Sequence, residues 1–167
     1  MNLYVLRHGL AVDHGAAGYP NDKDRPLTPK GKRKLRKIAN AMEALKLQFD
    51  LILSSPYTRA RQTAEIVAEC LNQRRKLEFS EDLVPSGSAE DLIQYLNRLK
   101  SRTEDVMLVG HEPYLSSLIS LLVSGDSDCR VVMKKGGLCK LSAEALKHGR
   151  CAALEWLLTP KQMAAIG

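Results

Sequence analysis

Short apolar runs recur along this chain, and each gives way to a polar, turn-rich stretch and then to a segment of helical periodicity. Leu3-Tyr4-Val5-Leu6, Asp50-Leu51-Ile52-Leu53, Leu77-Glu78-Phe79 and Asp105 to Val109 are of strand length and too short to be buried helices. The first strand is expected over about Asn2 to Arg7. A polar loop follows from Leu10 to Leu27. Thr28 then reads as an N-cap with Pro29 at the first helical position, opening a helix to about Leu47. Ser55-Pro56 repeats that signal and predicts a helix to about Asn72 with Ile66, Val67 and Leu71 facing inward. After a loop from Asp82 to Ser88, Ser88 caps a helix whose apolar stripe is Leu92, Ile93, Leu96 and Leu99. Pro113 to about Val123 is a strongly apolar helix.

The C-terminal part carries weaker signals. Val131-Val132-Met133, Gly137 to Leu141 and Ala152 to Leu158 are candidate strands that would form an edge hairpin or a crossover strand. Strands alternating with helices predict an α/β fold, a three-layer sandwich with a mostly parallel sheet and helices on both faces. No repeat, low-complexity tract or linker divides the chain, so one domain over residues 1–167 is expected. No insertion is long enough to build a cap over it.

Composition narrows the classes. With 44% hydrophobic residues in 167, the chain can bury a substantial core. No run approaches the ~20 apolar residues of a membrane span, and no basic segment precedes an apolar one at the N-terminus as in a secretory signal. Cys70, Cys129, Cys139 and Cys151 stand apart with no metal-ligand spacing, which argues for reduced thiols and against a zinc site. The expectation is a cytoplasmic monomer without a membrane partner. The net charge of +6 invites a nucleic-acid reading. Much of it comes from the run Lys30-Gly31-Lys32-Arg33-Lys34-Leu35-Arg36-Lys37, where Leu35, Ile38, Met42 and Leu45 take the inner positions of a helix and leave the cations solvated. Aromatics are only 5% and do not interleave the charges, so no nucleic-acid partner is expected. Steering of anionic substrates is a by-product of the excess charge.

The candidate chemistry lies where strands end. Arg7-His8-Gly9 closes the first strand, Ser54-Ser55-Pro56 with Arg59 follows the second, and Gly110-His111 follows the strand ending at Val109. Ligands of open α/β sheets gather at this edge. His8 is the candidate nucleophile, since an imidazole attacks phosphorus well when its other nitrogen donates to a carbonyl. Arg7 and Arg59 are candidate clamps whose planar forks match phosphoryl oxygens. His111 would donate to the transferring group. Gly9 would let the backbone turn sharply and a phosphate approach closely. Arg61, two positions from Arg59 on the same helix, points elsewhere.

Arg7-His8-Gly9, Ser54-Ser55-Pro56 with Arg59-Ala60 and Gln62-Thr63-Ala64, and Gly110-His111 together resemble the histidine phosphatase superfamily over residues 3 to about 123. The short length and the segment Arg25-Pro26-Leu27-Thr28 with Gly31 look most like its SixA-type phosphohistidine phosphatases, small members without an inserted helical cap. The resemblance implies transient phosphorylation of His8 followed by hydrolysis. It also implies that Arg7, Arg59 and His111 surround the phosphoryl group and that Arg25 lines the pocket. It implies no metal and no organic cofactor.

Two departures matter. Many members carry an acid after Arg-His-Gly, where this chain has Leu10. Members with a general acid carry it as a Glu after the third strand, and here Pro85 stands in its place. Glu81 and Asp82 are the nearby stand-ins, weighed against solvated loop charges. Breaking a P–O bond expels a basic alkoxide that needs protonation. Breaking the P–N bond of phosphohistidine expels an imidazole whose conjugate acid has a pKa of about 6.5. The expected substrate is therefore a phosphohistidine protein. The alternatives are a phosphomonoesterase acting on small molecules or phosphoproteins and, from another class, a non-catalytic phosphate-binding module.

Overall fold

The computed structural model describes residues 1–99 and 102–167. Its six strands are β1 (Asn2–Arg7), β2 (Leu51–Ser54), β3 (Leu77–Phe79), β4 (Asp105–Gly110), β5 (Leu138–Ser142) and β6 (Ala153–Leu158). Its helices are α1 (Pro29–Ala44), α2 (Thr58–Cys70), α3 (Ala89–Asn97), α4 (Tyr114–Ser124) and α5 (Pro160–Ile166). The strands form one sheet in the order β3-β2-β4-β1-β5-β6. β3, β2, β4 and β1 are mutually parallel, and β5 runs antiparallel to both β1 and β6. The sheet is thus mixed, with β5 alone reversed.

Side chains alternate across a strand, and here both alternating sets are buried. Leu3, Val5, Leu53, Val106 and Leu108 pack with Leu92, Ile93, Leu96, Leu115 and Leu118 of α3 and α4. Tyr4, Leu6, Ile52, Met107 and Val109 pack with Leu35, Ile38 and Met42 of α1, Ala64 and Val67 of α2, and Met163 of α5. Continuous apolar strands need a cover on each face, and the three layers supply it.

The local signals act largely as expected. Thr28 Oγ1 accepts from Gly31 N–H at 3.0 Å and Pro29 occupies the first turn of α1. Ser88 Oγ accepts from Asp91 N–H at 3.1 Å at the start of α3.

Several expectations need correction. α1 stops at Ala44, short of Leu47, and Leu45 is exposed rather than inward-facing. α2 begins at Thr58 and not directly after Ser55-Pro56, because Ser55 Oγ accepts from Tyr57 N–H and pairs with His111 instead of capping the helix. Arg59 is consequently the second residue of α2. A 3-10 turn over Glu81–Leu83 opens the segment read as loop. Val131–Met133 is not a strand. Of the two C-terminal arrangements left open, β5 and β6 form the edge hairpin. α5, which packs on α1 through buried Met163, was not expected. No described helix is long and apolar enough to cross a membrane.

Candidate active site

The C-terminal ends of β1, β4 and β2 are neighbours in the sheet, so the residues after them converge on one edge. His8 extends β1 by one residue, its N–H donating to Gly110 O at 3.1 Å and its carbonyl accepting from Gly136 N–H at 3.1 Å. The backbone is therefore held on both sides before the side chain does anything. The His8 ring is buried, and its Nδ1 lies 2.8 Å from Gly9 O. A carbonyl only accepts, so Nδ1 carries the proton and Nε2 keeps its lone pair. Arg59 Nε–H, arriving from the first turn of α2, donates to that Nε2 at 3.2 Å.

Gly9 is fixed by Thr63, whose Oγ1 accepts from Gly9 N–H at 3.1 Å and donates to Arg59 O at 2.7 Å. One hydroxyl thus ties the turn after β1 to the helix that carries Arg59. The reason for glycine differs from the expectation. Gly9 is not among the positive-φ residues, and a Cβ there would meet Leu35 Cδ1 at 2.6 Å and Leu27 Cδ2 at 3.3 Å. It supplies room for α1 to pack under the turn.

Arg7 reaches across the edge, with Nη1 donating to Met133 O at 2.7 Å and a buried Nε that has no partner. His111 is buried with its ring centroid 5.1 Å from that of His8. Its Nε2 pairs with Ser55 Oγ at 2.9 Å, and its Nδ1 is buried and unpartnered. Tyr57 stands with its ring 5.3 Å from His111 and 5.5 Å from Arg59 Cζ, a wall against both.

Asp22, to which sequence analysis assigns no role, sits at the centre of the cationic groups. Its Oδ2 accepts from Arg59 Nη2 at 2.8 Å and its carbonyl from Arg59 Nη1 at 2.7 Å. Its Oδ1 accepts from Arg25 Nε at 2.9 Å. Arg25 also donates through Nη1 to Val12 O at 2.6 Å, so the loop after β1 is folded onto itself. The structure thus brings Arg25 to the cluster through a shared carboxylate. No signal in the sequence ties Asp22 to Arg59 of α2, 37 positions away.

Glu81 is exposed and makes no side-chain hydrogen bond to the cluster among the described residues. Asp82 Oδ2 accepts from Ser80 Oγ at 2.9 Å, a local turn contact. Arg61 is exposed beside Glu65. No described group of three His, Cys, Asp or Glu side chains is placed to hold a metal ion.

The electrostatics follow from burial. Desolvation, reinforced by His111, Arg59 and Arg7 against the Gly9 contact, lowers the His8 pKa to about 2. Desolvation and Arg59 lower His111 to about 3. Both imidazoles are neutral near pH 7. Burial alone would raise the Asp22 pKa, but hydrogen bonds from Arg25 and Arg59 outweigh it and hold the carboxylate below its ordinary value. The edge therefore pairs a neutral imidazole with fixed guanidinium charge, and the Asp22 carboxylate is already bound to cations. Such a site attracts an anion with planar-arranged oxygens.

Comparison with known proteins gives the family. Residues 3–84 match the model of the histidine phosphatase superfamily (branch 1). Phosphohistidine phosphatase SixA of Escherichia coli (strain K12) is 32% identical over 128 residues, which is 76% of this chain and 77% of that protein. An uncharacterized protein of Picosynechococcus is 36% identical over 148 residues, 88% of either chain. The solved structure of protein histidine phosphatase SixA complexed with tungstate superposes with a TM-score of 0.83 at 28% identity, over 96% of this chain and 98% of that one. Sequence and fold agree, and the chain belongs to the histidine phosphatase superfamily.

Proposed function

We propose that this phosphatase hydrolyses protein-bound phosphohistidine through a covalent phosphohistidine intermediate on His8, with Arg7, Arg59 and His111 as the groups that hold the phosphoryl oxygens. The observation that carries this reading is the His8 tautomer: Nδ1–H is held on Gly9 O and the Nε2 lone pair faces the guanidinium of Arg59. In the first step Nε2 attacks phosphorus, the P–Nε2 bond forms, and the P–N bond to the substrate imidazole, which carries a proton on its other ring nitrogen and so leaves neutral, breaks. The bonding pair leaves with that imidazole. In the second step water attacks phosphorus, the P–Nε2 bond breaks, and inorganic phosphate departs with His8 restored. Arg59 must turn its fork from Asp22 to the phosphoryl oxygens, where charge accumulates in the transition state. Arg7 Nε–H and a protonated His111 Nδ1, both unpartnered, are further donors available to that group.

Substrate preference rests on the state of the nearby carboxyl groups: Glu112, which follows His111, accepts through Oε1 from Ser116 N–H in the first turn of α4. Glu81 lies outside the cluster, and Asp22 is held ionised. An alkoxide leaving group would depart unprotonated, whereas imidazole needs little help. The similarity to SixA, a phosphohistidine phosphatase by name, supports the same substrate class. The absence of any inserted cap among the described residues suits an open site that admits a protein. No cofactor enters these steps. We also place the chain in the cytoplasm as one monomeric domain over residues 1–167, a compartment consistent with four free thiols.

The test compares wild type and His8→Ala on a phosphohistidine-bearing protein, p-nitrophenyl phosphate and a simple alkyl phosphate. Rapid loss of phosphohistidine, slow alkyl-ester cleavage and a loss of at least a thousandfold in the variant are expected. Alkyl esters turned over as fast as phosphohistidine would make the protein a general phosphomonoesterase. An active variant would remove His8 as nucleophile.

A further inference from the structure

The flank where α1 meets α5 carries charge that the catalytic edge does not use. Lys30, Lys32, Arg33, Lys34, Arg36 and Lys37 fall within eight consecutive positions, and no acidic residue follows Asp24 until Glu43. Among the described residues none of these six cations is in an ion pair. The arrangement opposes helix stability in two ways: like charges at i, i+3 and i, i+4 repel, and Lys30 lies at the positive end of the helix dipole.

Lys30, Arg33, Lys34 and Lys37 recur at one helical face and wall a groove of about 790 Å³. Ile38, Pro160 and Ala164 line it with apolar surface, and Lys134 and Lys161 add charge from the facing loop and α5. No acidic or aromatic side chain lines it. A smaller cavity shares Lys34, Ile38 and Pro160 with the groove and extends to Gly9, Leu10 and Gly136. Gly136 N–H is bonded to the carbonyls of Arg7 and His8. The smaller cavity therefore lies between the groove and the turn after β1 that bears His8.

We propose that this groove docks an acidic amphipathic helix of the phosphohistidine protein and so delivers the phosphorylated residue to His8; the inference rests on the substrate class proposed above. The four cations of α1 are strung along about 10 Å of helix rather than gathered at a point, which suits an extended row of carboxylates better than a compact anion. The apolar lining suits the inner edge of an amphipathic helix, and without aromatic rings there is nothing to stack bases.

The experiment uses the charge reversals Arg33→Glu/Lys37→Glu and Lys34→Glu/Lys161→Glu, with thermal melts confirming that both fold. Their kinetics are compared with wild type on free phosphohistidine and on a protein phosphorylated beside an acidic helix. For the protein, KM should rise at least tenfold with kcat within twofold; for free phosphohistidine, both constants should stay within twofold. A labelled acidic amphipathic peptide lacking phosphate should bind wild type and lose at least tenfold in affinity with the variants. Unchanged KM for the protein overturns the proposal. So does an RNA oligonucleotide or inorganic polyphosphate that binds more tightly than the peptide, which would assign the groove to that anion. If wild type hydrolyses neither phosphohistidine substrate, the substrate reading fails. Peptide binding that persists would then make the groove a partner site without a role in delivery.

Discussion

Arg59 spends its donors in a way that exposes the central competition at the site. Nε faces His8 Nε2, while Nη1 and Nη2 are taken by Asp22. A phosphoryl group reaching His8 must displace this carboxylate from the fork, and the carboxylate repels the incoming anion as well. On the proposed mechanism Asp22 is therefore a built-in competitor for the substrate's place. Asp22→Asn keeps an acceptor oxygen and removes the charge. With a partly exposed pair contributing about 1 kcal/mol, affinity for orthovanadate as a competitive inhibitor should rise about fivefold. Weaker inhibition would mean that Asp22 aims Arg59 instead of competing with substrate. Arg59→Ala should act in the opposite sense. Loss of one transition-state fork typically costs on the order of 100- to 1,000-fold in kcat, and kcat measured on phosphohistidine should fall at least that far. Arg59→Lys should recover only part of it, because an ammonium cannot face Nε2 and two phosphoryl oxygens at once.

The elements transmit this geometry through close packing, most tightly where α1 begins. A Cβ on Gly31 would stand 2.1 Å from Leu10 O, the carbonyl that also accepts from Thr28 N–H at 3.0 Å. Gly31→Ala gains about 1 kcal/mol of helix propensity. It also forces a backbone atom to move, an overpacking cost of about 1–3 kcal/mol. The net should be a loss of stability by denaturant melts, together with a raised KM, since the displaced loop carries Asp22 and Arg25. A stabilised variant with unchanged KM would show that the loop shifts freely. Features of this kind divide what was legible from what was not. The strand ends bearing Arg7-His8-Gly9 and Gly110-His111, and the caps at Thr28 and Ser88, depend on neighbours within a few residues, and the chain alone shows them. The start of α2 was misplaced because Ser55 answers to His111, 56 positions away. Asp22 was missed because Arg59 lies 37 positions off. α5 carries a capping box at Thr159 and Gln162, but a seven-residue helix shows too little periodicity to stand out, and its burial comes from α1.

At the scale of the whole molecule, the site makes folding itself sensitive to acid. His8 and His111 are buried as neutral imidazoles, with pKa values lowered to about 2 and about 3 by desolvation and by the surrounding cations. In the unfolded chain a histidine titrates near 6.5. A depressed folded-state value means that the unfolded state binds protons first, so the stabilising contribution is complete above pH 6.5. It is lost progressively as pH falls toward 3. Across that window each histidine removes about 1.4 kcal/mol per pH unit, and the total stability of such a chain is only about 5–15 kcal/mol. Asp22 adds to the loss below its ordinary carboxylate range, since protonation releases it from Arg25 and Arg59. Stability from urea unfolding at pH 7.5, 6.0, 5.0 and 4.5 should therefore be flat down to about 6.5 and fall steeply beneath. His111→Gln, which can keep a contact to Ser55 and does not titrate, should lower stability at pH 7.5 yet lessen the slope between pH 6 and 4.5 by about half. A slope identical to wild type would mean that His111 takes up its proton in the folded protein, and the neutral pair of imidazoles at the catalytic edge would no longer describe the site.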